Sequence, residues 1–266
     1  MLMETPSHGF SQPWLRDILL AGVWLVFVCG CGQSPSLDLT RKFQAAEKTV
    51  AQATTPADYQ RAATAYQEIL DDGFRSGVIL FNQGNAWMQA GRRGRAIAAY
   101  RQAKRLLPRD PYLDANLRLA VGNDAATTTN VLDYVFFWQQ SATTQEMSFA
   151  ATLFLVLAML ASICVQLKYR PASARIVAIV SFCLLTLIAG SLLRDWWQND
   201  AVRHGIVVAT EVTARKGASN DHPASFNQAL AEGTEFTVEG ERDGWLLVRV
   251  GEKGEGWIPQ RDCVVW

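Results

Sequence analysis

Two uninterrupted apolar runs dominate the pattern of the chain. The first covers 147–167, 21 positions without a charged residue. A helix over that run measures about 31 Å at 1.5 Å per residue, the thickness of a bilayer's hydrocarbon core. The second covers 176–193, bracketed by Arg175 and Arg194, with Trp196 and Trp197 just beyond it. Paired tryptophans at the end of an apolar helix mark headgroup depth. Between the runs, the loop 168–175 carries Lys168, Arg170 and Arg175 and no acid. Positive charge is retained on the cytoplasmic side of membranes. The pattern therefore predicts a two-helix transmembrane hairpin with its loop inside and both flanking regions outside.

A shorter apolar run, 18–29, follows Arg16 near the N-terminus. Its length suits the core of an export signal better than a membrane span. An export signal with Arg16 on its inner side requires the same sidedness. The run ends in Val28-Cys29-Gly30-Cys31-Gly32, which resembles a lipoprotein signal. That resemblance implies cleavage before Cys31 and lipidation of its sulfur, giving a signal segment over 1–31. A signal cut elsewhere, or not cut, is the other reading.

Residues 38–122 have the helical period, and they repeat. Shifting the chain by 34 residues lays Ala62 on Ala96, Ala65 on Ala99 and Tyr66 on Tyr100. The best copy, 77–110, reads GVILFNQGNAWMQAGRRGRAIAAYRQAKRLLPRD. Leu80 and Trp87 carry the apolar stripe of its first helix. Gly84 permits close approach of the second helix, with Ala96 as the small partner. Gly91 permits the turn, Tyr100 and Ala103 continue the buried face, and Pro108 ends the helix. A weaker copy precedes it over 43–76, and a last helix over 111–121 would cap the stack. The pattern resembles the tetratricopeptide repeat, except that Gln83 stands where leucine is usual. The resemblance implies an α-solenoid with a concave groove for a peptide or protein partner, lined by Val78, Phe81, Asn85, Met88 and Gln89. The alternative is that these five are solvated surface. Arg92, Arg93, Arg95, Arg101, Lys104 and Arg105 form a basic cluster, read as a solvated helix face, with attraction of anionic lipid or an acidic partner as the alternative. Residues 123–146 read as a linker and interfacial segment, with three consecutive threonines in 124–130 and an aromatic cluster at 131–138 suited to the membrane interface.

From 205 to 266 the period changes to two, predicting strands at 206–212, 235–239, 245–250, 254–259 and 263–266. Asp243-Gly244-Trp245 and Gly254-Glu255-Gly256-Trp257-Ile258-Pro259 place glycines at turns and tryptophans where a small core needs area. The order of these landmarks resembles a bacterial SH3-type β-barrel, with 218–229 as a longer polar loop than that fold requires. Trp245 is expected in the core. Trp257 is open between core and an aromatic groove shared with Pro259. Cys263 is expected to be packed rather than reactive.

Composition narrows function. Lys and Arg number 25, as do Asp and Glu, so no net charge points to nucleic acid. The five cysteines include no CxxC pair, and no cofactor or metal site is read. His8, His204 and His222 fall in the signal, at a membrane boundary and in a loop. HExxH, P-loop and GxGxxG motifs are absent from the sequence. A non-enzymatic protein is expected.

The order of modules resembles the BatE family of the bacterial aerotolerance (Bat) operon, with NQGNAWMQAGRRGRAIAAYRQAKRLLPRDPYLDANLRLA as the repeat region. That resemblance implies a scaffold in the inner (cytoplasmic) membrane, with both soluble domains in the periplasm. It also implies partners that are von Willebrand type A membrane proteins, coupled to a MoxR-type ATPase. The rival expectation is a module that binds peptidoglycan through the SH3-type domain, using Trp257 and Pro259.

Overall fold

The computed structural model describes residues 37–122, 138, 141–167, 171–197 and 201–266. Cys31, most of the aromatic cluster and the residues 168–170 of the basic loop lie outside them. Among the described residues are seven α-helices followed by an antiparallel β region. Five helices come first: α1 (Leu37–Gln52), α2 (Pro56–Asp71), α3 (Gly77–Gln89), α4 (Arg93–Leu106) and α5 (Pro111–Val121). Each packs on the next in sequence.

Local chemistry sets their ends. Thr55 and Asp58 form a capping box at the start of α2, with Pro56 in its first turn. The Thr55 hydroxyl accepts from the Asp58 amide, and the Asp58 carboxylate accepts from the amides of Thr54 and Thr55. These bonds hold the Asp58 carboxyl well below the usual carboxylate range. Asp110 caps α5 in the same manner, its carboxylate accepting from Tyr112 and Leu113 amides. Gly91 joins α3 to α4 at φ +71°, a left-handed turn that other residues rarely adopt.

The 34-residue repetition reappears as burial. Ala62, Ala63, Tyr66 and Ile69 are buried, and so are Ala96, Ile97, Tyr100 and Ala103 at the same offset. Ile79, Gln83 and Ala86 are matched by Leu113, Leu117 and Ala120. Gln83 thus fills the place that Leu117 fills one period later. Its amide is satisfied, donating to Gln67 Oε1 at 2.7 Å, as a buried polar group requires. The space beside Gly84 is taken by the ring of Tyr100, not by Ala96 as the sequence suggested. An aromatic ring needs more room than a methyl group leaves, and only a glycine on the facing helix provides it.

Helices α6 (Thr144–Gln166) and α7 (Pro171–Trp196) are each long and apolar enough to cross a membrane. They bury only 6% and 11% of their most apolar stretches, unlike the core helices of a soluble domain. Both extend beyond the predicted runs 147–167 and 176–193. At the start of α6 the reason is a second capping box. The Glu146 amide donates to Thr143 Oγ1 at 3.2 Å, while its carboxylate accepts from the Thr143 amide at 2.9 Å. The start of α6 lies beside the end of α7, where the Thr144 hydroxyl donates to Asp195 at 3.1 Å.

The β region holds a five-stranded antiparallel sheet in the order β6-β5-β4-β1-β7 and a two-stranded sheet β2-β3. The strands are β1 (His204–Val207), β2 (Glu211–Val212), β3 (Leu230–Ala231), β4 (Glu235–Arg242), β5 (Trp245–Arg249), β6 (Glu255–Pro259) and β7 (Cys263–Val265). The single strand predicted at 206–212 is broken. The amides of Val208 and Ala209 both turn to Asp262 O, at 2.9 and 3.3 Å, which redirects the chain from one sheet to the other. The polar loop 218–229 is not free. Ala224 bridges to Arg215, and Phe226 packs on the sheet core. Trp245 is half-buried and outside that core, against expectation. It begins β5 opposite Pro259, at the edge of the packed layer.

The helical layer and the β region share β1. Successive side chains of a strand point to opposite faces. Val207 therefore enters the sheet core with Leu246, Val248 and Ile258, while Ile206 enters the helical core with Ala96, Ile97 and Tyr100. Val208, Val264 and Trp266 pack on the same helical cluster. At the centre of this contact the Gly94 amide donates to Glu232 Oε1 at 2.7 Å. A carboxylate there satisfies one of the unpaired amides of the α4 N-terminus and opposes its dipole. Arg101 adds an exposed ion pair to Glu235 at 2.7 Å, which contributes little by itself.

A methyl group at Gly94 would sit 2.5 Å from Val207 O and 3.2 Å from Val208 Cα. Both neighbours are backbone and cannot rotate away. Gly94→Ala is therefore expected to destabilise the contact by about 1–3 kcal/mol despite alanine's better helix propensity. Thermal unfolding of the detergent-solubilised chain checks this. Gly240→Ala in β4, where a methyl group would meet only Leu247 Cβ at 3.8 Å, is the comparison for a change that meets no close neighbour.

Candidate binding groove

A groove of about 670 Å³ opens on the helical layer, lined from α1, α2, α3, α4 and α5. Its floor is a network of tyrosines and asparagines. Tyr100 on α4 donates its hydroxyl to Asn85 Oδ1 on α3 at 2.8 Å. Asn116 on α5 donates its amide to the same oxygen, also at 2.8 Å. Two donors therefore occupy the Asn85 oxygen, which leaves its NH₂ group for whatever enters the groove. One period earlier, Tyr66 hydrogen-bonds to Asn82, as Tyr100 does to Asn116. The spacing of 16 residues within each pair, and 34 between pairs, follows from the numbers.

Burial pushes the Tyr100 hydroxyl up to about 12, with the Asn116 bond opposing the shift. Burial and the nearby Glu47 charge raise Tyr66 as well. Both rings are thus neutral donors at physiological pH.

Of the five groove residues expected from the sequence, Asn85, Met88 and Gln89 line the opening. Phe81 lies behind it, its ring centroid 6.0 Å from that of Tyr100. Val78 is 47% exposed and does not contribute. Tyr59, Tyr66, Asn82, Tyr100 and Asn116 were not among the expected lining residues. Applying the 34-residue shift to Asn82 would have found Asn116.

In the β region, Trp257 is half-buried and Pro259 pairs with Trp245 across β5 and β6. Trp257 is anchored by its backbone, which exchanges two hydrogen bonds with Arg215 at 2.7 and 2.8 Å. Neither residue belongs to the sheet core, and neither lines the groove on the helical layer. Cys263 lies 3.2 Å from Gln260 O, and burial pushes its thiol up to about 11, so little thiolate is present at neutral pH. Among the described residues, no group of three His, Cys, Asp or Glu side chains is placed to hold a metal. The fold defines a mixed α+β protein with two apolar helices of membrane-spanning length. No family model, curated protein or solved structure matches the chain.

The raised tyrosines set a sign for alkaline stability. A neutral acid whose pKa is higher in the folded state favours folding fully below its unfolded value. That contribution is lost as pH rises from about 10 towards 12. Stability is expected to fall across this window, and less steeply in Tyr100→Phe, which also loses the Asn85 bond at a cost of about 1 kcal/mol at neutral pH. Thermal melts of both proteins from pH 8 to 12 check the difference.

Proposed function

We propose that this chain is a non-enzymatic scaffold anchored in the inner membrane of a bacterial envelope. In this reading α6 and α7 cross the bilayer, the basic loop 168–175 is cytoplasmic, and both soluble parts are periplasmic. The helical layer is a short tetratricopeptide-type solenoid, supported by burial that repeats at 34 residues. The β region is an SH3-type barrel, supported by its five-stranded antiparallel order and by the Arg215–Trp257 bridge on the outer edge of β6.

The observation that carries the functional reading is the asparagine network. An extended peptide presents carbonyl oxygens that need donors, and the Asn85 NH₂ group, held by two fixed hydrogen bonds to its oxygen, is a donor already oriented. Tyr59, Met88 and Leu119 offer apolar area for side chains. The partner implied by the resemblance is a von Willebrand type A membrane protein of a Bat-type complex, linked through it to a MoxR-type ATPase.

Gln89 is exposed on the rim of the groove and suits a photoreactive replacement. Crosslinking in living cells, followed by mass spectrometry, is expected to recover a von Willebrand type A membrane protein. Recovery of wall peptides alone would overturn the scaffold reading in favour of peptidoglycan binding.

A further inference from the structure

The basic run 92–105 separates into two groups once its partners are assigned. Arg93 donates to Ala120 O and Val121 O at 2.5 and 2.6 Å, closing the end of α5. Arg101 pairs with Glu235, and Lys104 reaches Asp114 and Pro108 O. Arg105 is also engaged. Arg92 and Arg95 have no ion-pair partner among the described residues. Arg95 instead rests over the Trp87 ring, 5.1 Å from its centroid, which holds the guanidinium in place.

Both arginines line a cleft of about 590 Å³ between the helical layer and the β region. Its volume lies within the range of ligand sites. A third guanidinium, Arg261, enters from the segment between β6 and β7. It is 82% exposed, with Asp262 at 3.9 Å its nearest acid. No carboxylate lines the cleft. Three guanidiniums with a single carboxylate nearby, Asp262 at 3.9 Å from Arg261, are a standing attraction for an anion. The remaining polar lining is the Thr64 hydroxyl and the amides of Gln60, Gln67, Gln83 and Gln102. The cleft shares no lining residue with the asparagine groove.

We propose that this interdomain cleft binds an acidic peptide segment. Guanidinium forks pair with side-chain carboxylates through two parallel hydrogen bonds. Gln83 is bonded to Gln67 and Gln67 to Asp71, but Gln60, and Gln102 beyond its one bond to Ala98 O, still offer amide donor and acceptor capacity that matches the alternating N–H and C=O of an extended main chain. A bare phosphate or a lipid headgroup offers no such alternation, so the amides favour a peptide over either. The site exists only while the two parts are docked, because Arg261, Val208 and Val264 supply its far wall. It is a second site, independent of the asparagine groove.

The test uses the full chain in neutral detergent and a fluorescently labelled short oligoglutamate peptide, read by anisotropy, with oligoglutamine as the uncharged control. Oligoglutamate is expected to bind about tenfold or more tightly than oligoglutamine and to weaken with added salt. Arg92→Gln with Arg95→Gln should lose about tenfold or more, and Arg261→Gln less. Arg242→Gln removes the same charge at the start of the β4–β5 turn and should change nothing. Both arginines are solvent-facing, and circular dichroism verifies the fold. Equal binding of the two peptides, or a double variant indistinguishable from Arg242→Gln, would overturn the proposal. So would displacement by inorganic phosphate at the peptide's own concentration, which would mark an anion site without peptide specificity.

Discussion

The helical layer depends on the ring of Tyr100 occupying the space that Gly84 leaves empty. A Cβ at Gly84 would collide with that ring, so the two helices reach their spacing only with this pair of residues. Three things follow from one contact. The helices approach closely enough to bury Ala96, Ala99 and Ala103, side chains too small to fill a wider gap. The ring packs against Phe81, which closes the layer behind the groove. The hydroxyl, carried through the layer by the rigid ring, emerges where Asn85 and Asn116 meet. Packing and the polar floor of the groove are thus properties of the same side chain, and a change that loosens one disturbs the other.

A second constraint joins the parts. Strand β1 has no solvent face, because the helices cover one side and the sheet core the other. At Gly94 the backbone of β1 approaches so closely that no side chain fits, and at Gly205 the ring of Phe236 takes the space. Two or three helical repeats bury their faces poorly on their own. Here the outer face of a strand supplies the missing neighbour, with Ile206 acting as the next apolar residue of the helical core.

Much of this organisation was legible in the sequence. Repeats reuse the same packing, so Tyr66 and Tyr100 share a letter because they share a job, and the spacing of 34 survives directly in burial. The membrane-length helices were visible because uncharged runs have few other uses. Their ends were misplaced because hydrogen-bonded caps such as Thr143 with Glu146 continue a helix past its apolar stretch. What was missed needed three dimensions. The partner of Gly84 was taken to be the small Ala96, when the close approach admits an aromatic edge instead. Strand β3 has two residues, too few to show a period. The clustering of Arg92 and Arg95 with Arg261 joins positions from distant parts of the chain, and nothing local in the sequence connects them.

The contact between Gly94 and Glu232 spans 138 residues of sequence. At equilibrium such a long excursion is cheap, since each doubling of a closed loop adds only about 0.6 kcal/mol. In time it is expensive. The helical layer is synthesised once Val121 has been added, but β7, which pairs with the other edge of β1, ends at Val265. At ribosomal speeds of about 5–20 residues per second, roughly 7–30 s separate the two events. Throughout that interval the layer's apolar flank waits without Val264 and Trp266, and for more than half of it without Ile206. The nascent chain is therefore exposed to aggregation and proteolysis until β7 emerges, and that strand acts as the clasp that ends the interval.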